Sequence, residues 1–241
     1  MSRKMSGNTP DGPRRGRVTK PSKGKDAQRT MTRKVKTAKG RKLSSKLWLE
    51  RQINDPYVAR ANAEGWRSRA AFKLIELDDK FRLIRPGTRI ADLGSAPGGW
   101  SQVAVKRGAG HVVGIDILPV EPIAGSEQIE MDFTDERAGE AVMELLGGKP
   151  TLVMSDLAAN TTGHRQTDHL RTIALVEAAA QFAFDNLATG GDFVAKVFAG
   201  GTTGELLDTL KARFETVRHA KPESSRKGSP EIYLVAKGFK G

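Results

Sequence analysis

Apolar runs that stop abruptly at an acidic or glycine-rich break divide this chain. Seven strands are expected, at residues 89–93, 111–116, roughly 127–130, 151–155, 192–198, 214–219 and 231–236. Segments with helical spacing fit between them at 101–107, 135–146, 168–187 and 203–213. Another helix is predicted ahead of the first strand, from Ser68 to Leu83. Ala71, Leu74, Ile75, Leu77 and Phe81 form its apolar stripe, and Arg85-Pro86-Gly87 stops it. Alternating strands and helices predict an α/β fold with a largely parallel sheet covered on both faces. Only Lys221 to Pro230 joins the last two strands, too little for a long helix, so these are read as an antiparallel pair at one edge. Upstream, Leu47-Trp48-Leu49 and Tyr57-Val58 are sparse apolar anchors around Asn54-Asp55-Pro56, which reads as a turn. Ordered structure is expected to begin near Leu43, giving a domain over 44–241 and no internal repeat.

Charge divides the chain at nearly the same place. Residues 1–46 carry 16 Lys and Arg against Asp11 and Asp26, a net of +14 in a chain whose total is +12. The excess therefore lies entirely in the N-terminal segment, which is rich in Gly, Ser, Thr and Pro. Residues 1–43 are expected to form a disordered basic tail that suits a polyanion such as RNA, with a solubilising extension as the plain alternative. Cysteine is absent, which excludes disulfides, thiolate metal sites and a cysteine nucleophile. His111, His164, His169 and His219 lack metal-ligand spacing, so no metal is expected. With no apolar run of about 18 residues and no signal-like N-terminus, no membrane association is expected, and the default location is cytoplasmic.

The chemistry gathers around Asp92-Leu93-Gly94-Ser95-Ala96-Pro97-Gly98-Gly99-Trp100-Ser101-Gln102. A strand ends in an acid, opens into a glycine turn and leads into a helix, the first unit of a doubly wound domain. Glycine lets the backbone approach a ligand, and the helix start offers free N–H groups. The turn alone also fits a relaxed dinucleotide fingerprint. The next apolar run ends in Asp116, 22 positions after Gly94, where a carboxylate can accept both hydroxyls of a cofactor ribose. NAD and S-adenosylmethionine both carry such a ribose.

Four polar residues stand out against apolar surroundings. Lys73 interrupts Ala70-Ala71-Phe72-Lys73-Leu74-Ile75, and Lys196 interrupts Phe193-Val194-Ala195-Lys196-Val197-Phe198. Asp156 follows Leu152-Val153-Met154-Ser155, and Glu231 opens the final strand. Each has an ordinary explanation: a lysine can snorkel, an acid can cap a helix or face solvent. If the final strand is antiparallel, however, all four converge at the edge where ligands bind in open α/β sheets.

At that point the chain resembles the FtsJ/RrmJ (RlmE) family of large-subunit ribosomal RNA 2′-O-ribose methyltransferases. The likeness rests on Gly65-Trp66-Arg67-Ser68-Arg69-Ala70-Ala71-Phe72-Lys73-Leu74, the glycine turn, Met154-Ser155-Asp156-Leu157, Val194-Ala195-Lys196-Val197-Phe198, Pro222-Glu223-Ser224-Ser225-Arg226, Glu231 and Tyr233. It runs from about Ser44 to the C-terminus. The family commonly has Ala-Pro-Asn where this chain has Ala158-Ala159-Asn160, and the long basic tail is not covered. The resemblance implies a Rossmann-like methyltransferase fold, a seven-stranded sheet and S-adenosylmethionine as cofactor. It implies a catalytic set of Lys73, Asp156, Lys196 and Glu231, with Gly98, Trp100, Asp116, Asp132 and Asp156 contacting the cofactor. The implied reaction is 2′-O-methylation of a uridine in 23S ribosomal RNA on the assembled 50S particle, by a monomer acting late in ribosome maturation. Lys196 would accept the hydroxyl proton, helped by Lys73 as a neighbouring cation and by partial burial. Asp156 would orient it, and Lys73 and Glu231 would position the ribose. Pyrimidine C5 methylation generally needs the missing cysteine, and the Asn/Asp-Pro-Pro-aromatic loop of adenine N6 enzymes is absent. A different reading is a non-catalytic RNA-binding assembly factor, held to RNA by the tail and Arg67-Ser68-Arg69.

Overall fold

The structure, a computed structural model, describes residues 43–159, 163–198, 203–226 and 228–241. The expected tail over 1–43, apart from Leu43, lies outside the described residues, as does Asn160. Strands β1 (Arg89–Leu93), β2 (His111–Asp116), β3 (Ser126–Glu130), β4 (Leu152–Ser155), β5 (Asp192–Phe198), β6 (Phe214–Ala220) and β7 (Glu231–Phe239) form one sheet. Their order is β3-β2-β1-β4-β5-β7-β6. The first five are parallel, and β7 runs antiparallel between β5 and β6. The mostly parallel sheet with its antiparallel edge pair is as expected. Strand order reverses between β1 and β4, which opens a crevice at their carboxyl ends.

Helices α1 (Leu43–Ile53), α2 (Pro56–Glu64) and α3 (Ala70–Phe81) precede the sheet. Helices α4 (Gly99–Lys106), α5 (Ala138–Leu146), α6 (Arg165–Asn186) and α7 (Gly204–Arg213) connect its strands. The Asn54-Asp55-Pro56 turn lies between α1 and α2 and also starts the second helix. Asp55 caps α2 by accepting from Tyr57 N at 3.0 Å, and Pro56 occupies the first helical position, where its missing N–H costs nothing. Helix α3 is shorter than the expected Ser68–Leu83. Arg82 adopts a left-handed conformation (φ 53°) and Asp78 accepts from Ile84 N at 2.7 Å, turning the chain back. Leu83 and Ile84 continued the apolar pattern because they are core residues of the return loop.

Side chains alternate across the strands into two cores. One face holds Leu93, Ile115, Val153, Ala195 and Leu234 against α5, α6 and α7. The other holds Ile90, Val112, Met154, Val194 and Tyr233 against α3 and α4. Period two therefore assigns Asp156, Lys196 and Glu231 to the α3 face, at the ends of β4 and β5 and the start of β7. Lys73 comes from α3 itself. Among the described residues, no helix is long and apolar enough to cross a membrane.

Candidate active site

The crevice at the strand-order reversal is a cavity of about 640 Å³, within the roughly 300–1,000 Å³ of small-molecule sites. Gly94, Ala96, Asp116, Asp132, Asp156 and Arg171 are among its walls. Gly94 has φ 82°, and a Cβ there would lie 2.9 Å from the backbone of Leu157. The turn thus admits only glycine where β1 and the loop after β4 close on each other. Asp116 takes one backbone N–H on each oxygen, Ala96 N and Leu118 N, both at 2.9 Å. Lone pairs remain on both oxygens for a diol. Across the cavity, the Thr134 N–H and hydroxyl both donate to Asp132 Oδ1, at 2.8 and 2.7 Å, and hold that carboxyl below its ordinary range.

Two expected cofactor residues sit behind this wall. Gly98 (φ 102°) underlies the loop after β2, where its Cβ would meet Ile123 Cδ1 at 2.7 Å. Trp100 is buried, donates from Nε1 to Ala70 O at 2.9 Å and packs its ring on Tyr233 at 5.7 Å. Its side chain braces α3 against the sheet, and any reach toward the cavity runs through its backbone.

The four residues at the sheet edge meet as two ion pairs linked by one phenol. Lys73 Nζ lies 2.8 Å from Glu231 Oε1. Lys196 Nζ donates to the backbone oxygen of Asp156 at 2.6 Å and lies 3.3 Å from its Oδ1. The Tyr233 hydroxyl donates to that same Oδ1 at 2.9 Å, while Lys73 stands over the Tyr233 ring at 5.6 Å. Lys196 meets Asp156, the residue expected to orient it, and Lys73 has Glu231 as its own carboxylate. Burial would push Asp156 up, but Lys196, Lys73 and the Tyr233 hydroxyl outweigh it and hold the carboxyl below its ordinary range. Burial, with Asp156 and Glu231 nearby, pushes the Tyr233 phenol well above its usual value, so it stays a neutral donor. Asp156 also lines the cavity and is the residue common to both halves of the site.

Sequence reasoning gave Tyr233 no role, although it shares a face with Glu231 two positions earlier. It also missed the support behind Glu231. Ser225 Oγ donates to Glu231 Oε1 at 3.0 Å. Next along that loop, Arg226 donates to Asp55 Oδ2 at 3.2 Å, and Arg69 pairs with the same oxygen at 2.8 Å. Arg67 donates to the carbonyls of Glu121 (2.5 Å) and Pro122 (2.7 Å). Arg67 and Arg69, expected as RNA contacts in the assembly-factor reading, are thus engaged within the chain. Among the described residues, no group of three His, Asp or Glu could hold a metal ion.

Residues 66–239 match the model of the FtsJ-like methyltransferase family. A ribosomal RNA large subunit methyltransferase E of Granulibacter bethesdensis is 63% identical over 206 residues, covering 86% of this chain and 90% of that one. That of Caulobacter vibrioides is 55% identical over 224 residues, 93% and 99% of the two chains. A crystal structure of a ribosomal RNA methyltransferase from Plasmodium falciparum superposes with a TM-score of 0.65 at 32% identity, over 73% of this chain and all of that one.

Proposed function

The chain belongs to the FtsJ-like methyltransferase family, and from that premise we propose that it methylates a ribose 2′-hydroxyl of large-subunit ribosomal RNA. The cofactor of this reading is S-adenosylmethionine, and the target is a uridine of 23S RNA on the 50S particle. The cavity suits the cofactor: Asp116 offers free lone pairs on both oxygens to a ribose diol, Asp132 offers a second carboxylate, and Gly94 lets the backbone close in. When bound, the cofactor supplies a methyl group on a sulfonium.

The hold on Lys196 carries the assignment. Two positions around Nζ are taken by the backbone oxygen and Oδ1 of Asp156. Once the ammonium has released one proton to solvent, these use the two remaining N–H donors and leave the lone pair for a substrate hydroxyl. Lys196 Nζ accepts the 2′-hydroxyl proton as that oxygen takes the methyl group the cofactor would supply. Asp156 then faces the new ammonium and stabilises it. Tyr233 keeps the carboxylate in place, and Lys73, fixed by Glu231, offers its remaining donors to the ribose. Alignment of the hydroxyl supplies the larger share of the rate gain.

Single-turnover methylation of large-subunit particles across pH 6 to 10 tests this reading. Lys196→Ala should abolish 2′-O-methylation with cofactor affinity nearly intact. Lys196→Arg should fail too, because a guanidinium keeps its proton. Parent-like rates for Lys196→Arg would make Lys196 a positioning cation, and a methyl group found on a base would refute the ribose assignment.

A further inference from the structure

A second polar network lies against the glycine turn and belongs to neither ion pair. Gln128 of β3 stands opposite Gly114 of β2. Its amide occupies the space a side chain on Gly114 would need: a Cβ there would fall 2.2 Å from Gln128 Oε1. From this position the amide reaches both sides of the turn. Ser95 Oγ donates to Oε1 at 2.8 Å, and Nε2 donates to Ser101 Oγ at 3.2 Å and to Ser126 Oγ at 2.6 Å. Ser101, accepting from the amide, gives its one proton to Asp92 Oδ2 at 2.6 Å. Ser95, Ser101 and Asp92 are all buried, so these bonds are not readily replaced by bulk water.

The two serines bracket Ala96–Trp100. Ala96, next to Ser95, lines the cavity and gives its N–H to Asp116. Ser101 sits in the first turn of α4, just past Gly98 and Gly99. Gln128 is not itself a wall of the cavity. We propose that Gln128 is a positioning residue for the cofactor, holding the glycine turn through Ser95 and Ser101 in the shape that sets Ala96 N–H and Asp116 for the ribose. Gly114 is the complementary half of the device, the residue whose missing side chain makes room for the amide. The inference rests on the cavity being the S-adenosylmethionine site.

Full-chain Gln128→Met, Gly114→Ala and the double variant separate this role from simple stability. Calorimetric titration with S-adenosylhomocysteine, thermal midpoints and steady-state kinetics on large-subunit particles supply the readouts. Gln128→Met should weaken S-adenosylhomocysteine by about tenfold and raise KM for S-adenosylmethionine similarly, with kcat at saturating cofactor and KM for the particle little changed. Gly114→Ala pushes the amide aside and should reproduce the weakening with Gln128 still present. The double variant should be no weaker than either single one, because no amide is left to displace. A purely structural role would lower the thermal midpoint without moving a Kd measured well below it. A parent-like Kd for Gln128→Met overturns the proposal, as do losses that add in full in the double variant. A parent protein that binds no S-adenosylhomocysteine refutes the cofactor reading itself and the proposal with it, a result distinct from the other two.

Discussion

Replacing Asp92 with Asn should shift stability in the variant's favour, relative to the parent, as pH rises from acid to neutral. Asp92 is fully buried, with Ser101 on Oδ2 and no hydrogen bond to Oδ1 among the described residues. Burial, with Asp156 and Asp116 nearby, pushes its carboxyl from 3.8 up to about 7 against the opposing bond from Ser101. A raised carboxyl favours the folded state below its ordinary value and loses that contribution as pH climbs to the folded value. At about 1.4 kcal/mol per pH unit, the rise corresponds to about 4 kcal/mol, of which about 3 fall above pH 4.5. Asn keeps an acceptor for Ser101 and has no charge to bury. Its extra N–H is unpaired at every pH, so that cost cancels when the stability difference is followed against pH. Urea unfolding of parent and Asp92→Asn from pH 4.5 to 8.5 measures the difference. The variant should gain about 3 kcal/mol over that span, flattening above pH 7. Parallel stability curves would refute the argument, because they would mean that Asp92 titrates alike in the folded and unfolded chains.

Asp116→Ala should weaken S-adenosylmethionine binding by about 1.5–3 kcal/mol through lost charge-assisted hydrogen bonds; unchanged calorimetric affinity, or preferential NAD binding by the parent, would overturn the cofactor reading. Removing residues 1–43 should leave a folded, cofactor-binding domain whose RNA affinity is lower and falls less steeply with salt, since fewer phosphate counterions are released; an unaltered salt slope would show that the segment does not engage RNA.

The sheet was legible because β1, β2, β4 and β5 are short apolar runs with sharp polar ends, a pattern that burial on both faces imposes. Lys196 and Lys73 were legible for the same reason: a cation inside an apolar run needs a partner or an exit. The direct Lys73–Glu231 ion pair and the Tyr233 link to Asp156 were not. These contacts depend on how α3 seats against β5 and β7, and no local spacing encodes that. The turn at Asn54-Asp55-Pro56 was legible, but the helices on either side of it were not, because their apolar faces are weak. The Arg226–Asp55 contact joins residues 171 positions apart, and Gln128 reads as an ordinary polar residue on a half-exposed strand until Gly114 is seen opposite it.

The position of β7 also governs how the protein comes into being. Strand β6 is synthesised before β7 yet lies beyond it in the sheet, bonded to it and not to β5. A nascent chain that has reached residue 230 already holds β1 to β5 and the walls of the cavity, but β6 has no neighbour to join. Glu231 and Tyr233 arrive only with the final strand. At a translation rate of about 5–20 residues per second, the cavity walls and both lysines are synthesised before Glu231 and Tyr233, the groups that fix Lys73 and Asp156. A chain cut short before β7 would lose the partner of Lys73, the phenol that holds Asp156 and the bridge to the sheet's outer strand in one step.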